Sequence, residues 1–375
     1  MNNKLTRRQW LRRGSAAAAL AITPHSLPSL MGPPAPKAHN DTVNGFVRLS
    51  ANENPYGPSK AAREAMLGAF DEACRYPYAG AGGDLAKLIA EKEGVTPEHI
   101  VIGCGSGEIL RMAGVTYGLN GGEIVAADPA YLGLTRYAET FGAYTHKVPL
   151  DEYMVHDLDA MYERISPHVK LVFICNPNNP TGTSVDPAKL RDFATSASNK
   201  AVMFIDEAYI ELMDDMAANT MTDLVKKDLN VIVSRTFSKI FGMAGQRIGY
   251  AITRPDIAKR IQEYRMGMPN VVGLRGAMAS LNDTEFQAYS RKMIAEGRQY
   301  VYDLCDELGF SYTPSTTNFV FFHTGKPIQA LQKAMQKENV LIGRPFPPYL
   351  DWCRISIGTR ENMEAFGTAL RKVMV

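Results

Sequence analysis

Metal-ligand spacing, a disulfide framework, a membrane-spanning run and a strong charge of one sign are all missing from this sequence. The five cysteines (Cys74, Cys104, Cys175, Cys305, Cys353) are far apart and odd in number. They read as small buried side chains, and no metal is expected. No apolar stretch approaches the roughly 20 residues needed to cross a bilayer, so stable membrane insertion is not expected either. Forty-one basic residues face 39 acidic ones, a net charge of +2. No basic patch stands out, which argues against a nucleic-acid partner. There is no internal repeat, and no low-complexity block beyond the N-terminus.

What remains is an ordinary globular composition, 45% hydrophobic and 21% charged over 375 residues. That length suits two domains, or one large domain with a smaller one attached. The first residues stand apart. Thr6-Arg7-Arg8-Gln9-Trp10-Leu11-Arg12 precedes a mildly apolar run, Ala16 to Ile22, and a Pro-rich tract through Pro36. A basic start, a short weakly hydrophobic middle and a loose end describe a targeting segment. It resembles a twin-arginine export signal, with cleavage after Ala35 or Ala38 and a periplasmic or otherwise exported product. A basic tail and a cytoplasmic protein are the other reading. Removing residues 1–38 takes six basic residues and no acid, leaving 35 against 39 and a net of −4.

From His99 onward, short apolar runs alternate with amphipathic stretches. Strands are expected at Ile100–Ile102, Ile124–Ala126, Leu171–Ile174, Val202–Ile205, Val231–Val233 and Ile248–Ile252. Helices are expected near 106–118, 131–141, 157–165, 187–198 and 256–264. Strands that are apolar throughout and separated by helices indicate a mostly parallel sheet buried on both faces. Upstream, Ser59 to Cys74 reads as a helix capped by Ser59, and Asp84 to Glu93 as another, with a glycine-containing loop between them. Beyond about 270 come long helices to 308, short strands near 318–322, 340–342 and 353–357, and a last helix over 361–373. The division expected is a signal and linker (1–38), an N-terminal arm (39–75), a large α/β domain (76–268) and a smaller α+β domain (269–375).

The chemistry gathers around Ser234 to Tyr250. A strand runs into two hydroxyls (Thr236, Ser238), a lysine (Lys239), small residues at Gly242, Ala244 and Gly245, and an arginine (Arg247). A lysine that condenses with an aldehyde, among groups that grip a phosphate, is what pyridoxal phosphate requires. A loop lysine beside a structural arginine is the plainer alternative. Other candidate segments also fall at carboxyl ends of strands, where parallel sheets collect ligands. Gly103-Cys104-Gly105-Ser106-Gly107-Glu108 opens a helix and suits a phosphate. Asn176-Pro177-Asn178-Asn179-Pro180-Thr181-Gly182 fixes its own turn. Asp206 sits at a buried strand end, where a carboxylate needs a cation such as a pyridinium N–H, and Tyr209 follows within reach of the ring hydroxyl.

With these segments in order, over roughly residues 45 to 375, the chain resembles the fold-type I, class I/II aminotransferases. It is most similar to their histidinol-phosphate aminotransferase branch. Asn-Glu-Asn-Pro-Tyr-Gly at 52–57 and Arg-Ile-Ser-Ile-Gly-Thr-Arg at 354–360 complete the pattern. The resemblance implies a large domain built on a seven-stranded-type, mostly parallel sheet, and pyridoxal 5'-phosphate as cofactor. Lys239 would hold that cofactor covalently and shuttle a proton. Asp206 would keep the pyridine nitrogen protonated, and Asn179 and Tyr209 would bond the 3-hydroxyl. Tyr131 would stack on the ring, while Ser106, Gly107, Thr236, Ser238 and Arg247 would grip the phosphate. Tyr76 would reach the phosphate of a neighbouring subunit, implying a homodimer. Arg354 would clamp the substrate α-carboxylate. The activity implied is amino transfer between an L-amino acid or amino phosphate and a 2-oxo acid. Decarboxylation or oxidation of an amino acid by the same lysine and aspartate is the alternative.

Overall fold

The computed structural model describes residues 42–77 and 80–374; the segment expected to direct export, with its cleavage site, lies outside them. Twelve strands are numbered in chain order. Seven of them, β3 (Ile100–Gly103) to β9 (Gly249–Thr253), form the main sheet, in the order β3-β9-β8-β7-β6-β4-β5. Only β9 runs against the direction of the other strands, so the expected mostly parallel sheet is present. Its central strands are apolar because both faces are covered. In β6 (Val169–Cys175) every residue except Lys170 is buried, and β8 (Val231–Thr236) is buried throughout.

The sheet holds one strand more than the apolar runs announce. β5 (Tyr144–Pro149) reads Tyr-Thr-His-Lys-Val-Pro and pairs only with β4 (Glu123–Asp128). As an edge strand it buries only Thr145 and Val148, so no apolar run marks it. Two further corrections concern helix ends. Gly82 and Gly83 lie inside the helix Ala81–Glu93 rather than in the preceding loop. The first helix stops at Gly68 and passes into a 3-10 turn over Ala69–Glu72, although Ser59 does cap it, its hydroxyl accepting from Ala62 N–H at 3.1 Å.

A second hydrophobic cluster forms where β10 (Phe319–His323) pairs with β12 (Trp352–Ser356) and packs on helices Ile328–Lys337 and Arg360–Met374. Helix Thr284–Leu308 serves both cores. Its Ile294 packs in the large cluster, and its Val301, Leu304 and Cys305 pack in the small one. The arm joins the small cluster too. β2 (Phe46–Arg48) runs parallel to β11 (Val340–Leu341), and Leu49 is buried against it. The arm then continues over the carboxyl edge of the main sheet.

Behind that edge lies Arg235, about 1% exposed, on β8. It donates to Glu207 (3.0 Å), Glu93 (2.6 Å) and Thr220 (2.8 Å). Glu207 also accepts from Met221 N–H at 2.7 Å. Removing one partner from such a group strands a buried charge and costs about 3–5 kcal/mol. Arg235→Leu should therefore lose that much in chemical denaturation. Arg235→Leu with Glu207→Gln should lose less, and equal losses would show that Glu207 is not the stranded charge.

Candidate active site

Five strand ends deliver their loops to one edge of the sheet. β3 leads through Gly105 into helix Ser106–Gly118, β4 into Tyr131, and β6 into the Asn-Pro turns. β7 (Val202–Asp206) ends on Asp206, with Tyr209 three residues on, and β8 leads to Lys239. The amino end of antiparallel β9 adds Arg247. Together with the arm and the small cluster they enclose a cavity of about 660 Å³. Every site residue expected from the sequence lines it except Tyr76.

One end of the cavity is built for an anion. The helix beginning at Ser106 has no side-chain cap, and its N-cap Gly105 has φ +78°. A Cβ at Gly105 would collide with the Arg247 guanidinium. Arg247 holds a left-handed backbone, φ +57°, and donates to Ala244 O at 2.8 Å and Ser238 Oγ at 3.4 Å. Thr236 Oγ1 donates to Ser238 Oγ at 2.9 Å. Free helix N–H groups, two hydroxyls and a guanidinium meet here, a set that suits a phosphate.

The other end carries a carboxylate. Asp206 is about 2% exposed and accepts from Ser234 Oγ at 2.7 Å. Burial pushes its carboxyl up to about 6, against the pull of the Ser234 hydrogen bond and the Lys239 charge. A cationic ring N–H is the partner that would hold it ionised.

Lys239 lines the same cavity and feels the charges of both Asp206 and Arg247. Its Nζ donates to the backbone carbonyl of Asn52 at 2.9 Å and stands 5.3 Å from the centre of the Tyr209 ring. Burial, and then the charge of Arg354, lower its amine to about 8. The Tyr209 hydroxyl accepts from Asn52 Nδ2 at 3.1 Å, and burial pushes the phenol well above its ordinary range, so it stays protonated. Among Asn176, Asn178 and Asn179, only Asn179 faces the cavity. Asn176 Oδ1 accepts from Val185 N–H (2.9 Å), and Asn178 Nδ2 donates to Pro129 O (3.2 Å), so these two fix the turn.

Arg354 is buried, and among the described residues no carboxylate pairs with it. One terminal nitrogen donates to Asn179 Oδ1 (2.7 Å), the other to Ser50 O (2.8 Å), and its Nε has no partner. Burial lowers it to about 10. A guanidinium held this way is a receptor for an incoming carboxylate. Tyr76 is exposed at 74% and does not line the cavity of its own chain. Three participants escaped the sequence reading. Asn52 lay within a quoted motif, but its contact is made by a backbone carbonyl, which no residue type announces. Glu53, in the same motif, and Gln332, which carries no spacing signal, line the cavity as well.

The comparisons agree with this geometry. Residues 44–370 match the family described as Aminotransferase class I and II. A histidinol-phosphate aminotransferase of Moorella thermoacetica is 36% identical over 336 residues, 88% of this chain and 86% of the relative. A histidinol-phosphate aminotransferase 2 of Haemophilus influenzae is 34% identical, covering 88% of this chain and 91% of the relative. The crystal structure of histidinol-phosphate aminotransferase from Sinorhizobium meliloti in complex with pyridoxal-5'-phosphate superposes with a TM-score of 0.80 at 27% identity. That match covers 87% of this chain and 90% of the other. The chain belongs to the class I and II aminotransferase family.

Proposed function

We propose that the cavity holds pyridoxal 5'-phosphate and that the protein moves an amino group between an L-amino acid or amino phosphate and a 2-oxo acid. The observation that carries this reading is the meeting of Lys239, a hydroxyl-guanidinium cradle and a buried aspartate in one cavity. Bound there, the cofactor would supply an aldehyde for the amino group and a ring that takes up electrons from the substrate's alpha carbon. The chain's own residues do the rest. Ser106, Gly107, Thr236, Ser238 and Arg247 hold the phosphate. Asp206 keeps a proton on the ring nitrogen, Tyr209 and Asn179 hold the ring oxygen, and Tyr131 covers the ring. Arg354 orients the substrate carboxylate, and Lys239, with its lowered amine, holds and returns the alpha proton. A panel of amino donors incubated with 2-oxoglutarate tests the reaction type. Glutamate formation is expected; carbon dioxide or peroxide in its place overturns amino transfer.

Two further parts of the reading rest on the sequence pattern. Tyr76 matches the tyrosine that resembling aminotransferases extend to a neighbouring subunit, and it lies on the surface here. This supports a homodimer with shared sites. The segment Thr6 to Ile22 supports export by the folded-protein route.

Borohydride reduction of the yellow holoenzyme should fix the cofactor on Lys239, and a label on any other lysine removes the assignment. In the apoenzyme the Lys239 amine is protonated below its lowered value and nucleophilic above it. Its capture of pyridoxal phosphate should therefore rise through about pH 8 rather than near 10.5. Stopped-flow absorbance checks this, and a midpoint near 10 contradicts it.

Tyr76→Phe should weaken cofactor binding by about 1.5–3 kcal/mol, one charge-assisted hydrogen bond. Mixed with Lys239→Ala chains at limiting cofactor, it should regain activity above either parent, because one site of each mixed dimer is intact. No gain despite confirmed subunit exchange places Tyr76 within its own chain.

Replacing Arg7 and Arg8 by lysine should trap the precursor in the cytoplasm of the native host. Export that is unchanged by fractionation removes the twin-arginine reading.

A further inference from the structure

Asn52 hydrogen-bonds two residues that the reaction itself names, Lys239 and Tyr209. It is about 2% exposed and holds φ +51°, a region that side chains other than glycine, asparagine and aspartate seldom adopt. That backbone turns its carbonyl to Lys239 Nζ at 2.9 Å. Its carboxamide is fixed from the opposite side of the molecule. Ser356, 304 residues away on β12, accepts from Asn52 N–H at 2.8 Å and donates its own proton to Asn52 Oδ1 at 2.8 Å. With Oδ1 taken by a donor, Nδ2 is the end presented to the Tyr209 hydroxyl, at 3.1 Å.

The consequence lies in a count of protons. A phenol has a single proton to give. Because Tyr209 accepts from Asn52, that proton is not spent on Asn52 and is left for the cavity. Had the carboxamide been reversed, Tyr209 would donate to Oδ1 and offer the cavity only a lone pair.

We propose that Asn52 is a positioning residue of this site: held by Ser356, its carboxamide orients the Tyr209 hydroxyl as a donor into the cavity, while its strained backbone holds the Lys239 amine. This rests on the reading that the cavity takes pyridoxal 5'-phosphate, whose ring oxygen would receive the Tyr209 proton. Asn52 acts through Tyr209 and Lys239 and need not touch the cofactor. The arrangement also ties the arm and β12 to the ring-binding groups, so the donor is aimed only when all three parts are assembled.

Equilibrium titration of the apoenzyme with pyridoxal 5'-phosphate tests this in a double-mutant cycle of Asn52→Gly and Tyr209→Phe. Glycine keeps the positive φ without strain, so only the carboxamide is lost. Each single variant should weaken binding by about tenfold, and the double variant by no more than Tyr209→Phe alone. Ser356→Ala removes only the hydroxyl that holds the carboxamide, and serves if Asn52→Gly melts early. Its smaller loss should likewise vanish in the Tyr209→Phe background. Losses that multiply, or an Asn52→Gly enzyme that binds like the unsubstituted one, overturn the inference while leaving the cofactor reading intact. If the unsubstituted chain binds no pyridoxal 5'-phosphate, the cofactor reading falls and the inference with it.

Discussion

The site depends on a lysine amine held indoors. Lys239 donates to a carbonyl 187 residues upstream, so the site exists only when the arm has closed over the sheet edge. Water around an exposed lysine would leave its amine at the ordinary value of 10.5. Here burial and a neighbouring guanidinium bring the amine to about 8. The nucleophile that the proposed amino transfer requires would thus be prepared by the enclosure as well as by the residue type.

The enclosure in turn has an electrostatic character that selects its contents. Lys239, Arg247, Arg344 and Arg354 line the cavity against Asp206 and Glu53, and Glu53 is already paired with Arg48 at 2.6 Å. Cations outnumber available anions around the cavity, so its field favours entering anions. A phosphate at the Arg247 end and a carboxylate at Arg354 would supply them. Asp206 runs against this trend, and its raised carboxyl marks the single place where a cation is wanted. Charge alone would therefore separate two anionic ligand groups from one cationic group before any shape is considered.

The parts of this that the sequence announced are those made by side-chain type and local order. Lys239, Asp206 and the Asn-Pro turns stand at strand ends whose apolar runs are plain, so both strand and site could be placed. β5 was missed because an edge strand needs no apolar run. Asn52 and Ser234 were missed for other reasons. One works through a backbone carbonyl, and the other through a hydroxyl beneath Asp206 that only strand pairing brings there, Asp206 standing opposite Ser234. Long-range register carries that information, and residue spacing does not.

Closure of the arm has its own local cause. Gly57 and Gly242 meet backbone to backbone. A Cβ on Gly57 would stand 2.6 Å from the Gly242 Cα and 2.8 Å from Phe241 O. Gly242 itself needs φ +65°, which glycine adopts without a steric penalty. These two residues lie five after Asn52 and three after Lys239. The closest approach of the arm to the lysine loop is thus one short segment away from the hydrogen bond that holds the amine. Asn54 adds a polar tether between the same two segments, its Nδ2 donating to Ile240 O at 2.7 Å. The glycines of the two motifs are therefore explained by packing. They let two backbones approach closely enough for a carbonyl to reach Lys239, and a side chain on either would hold the arm off the site.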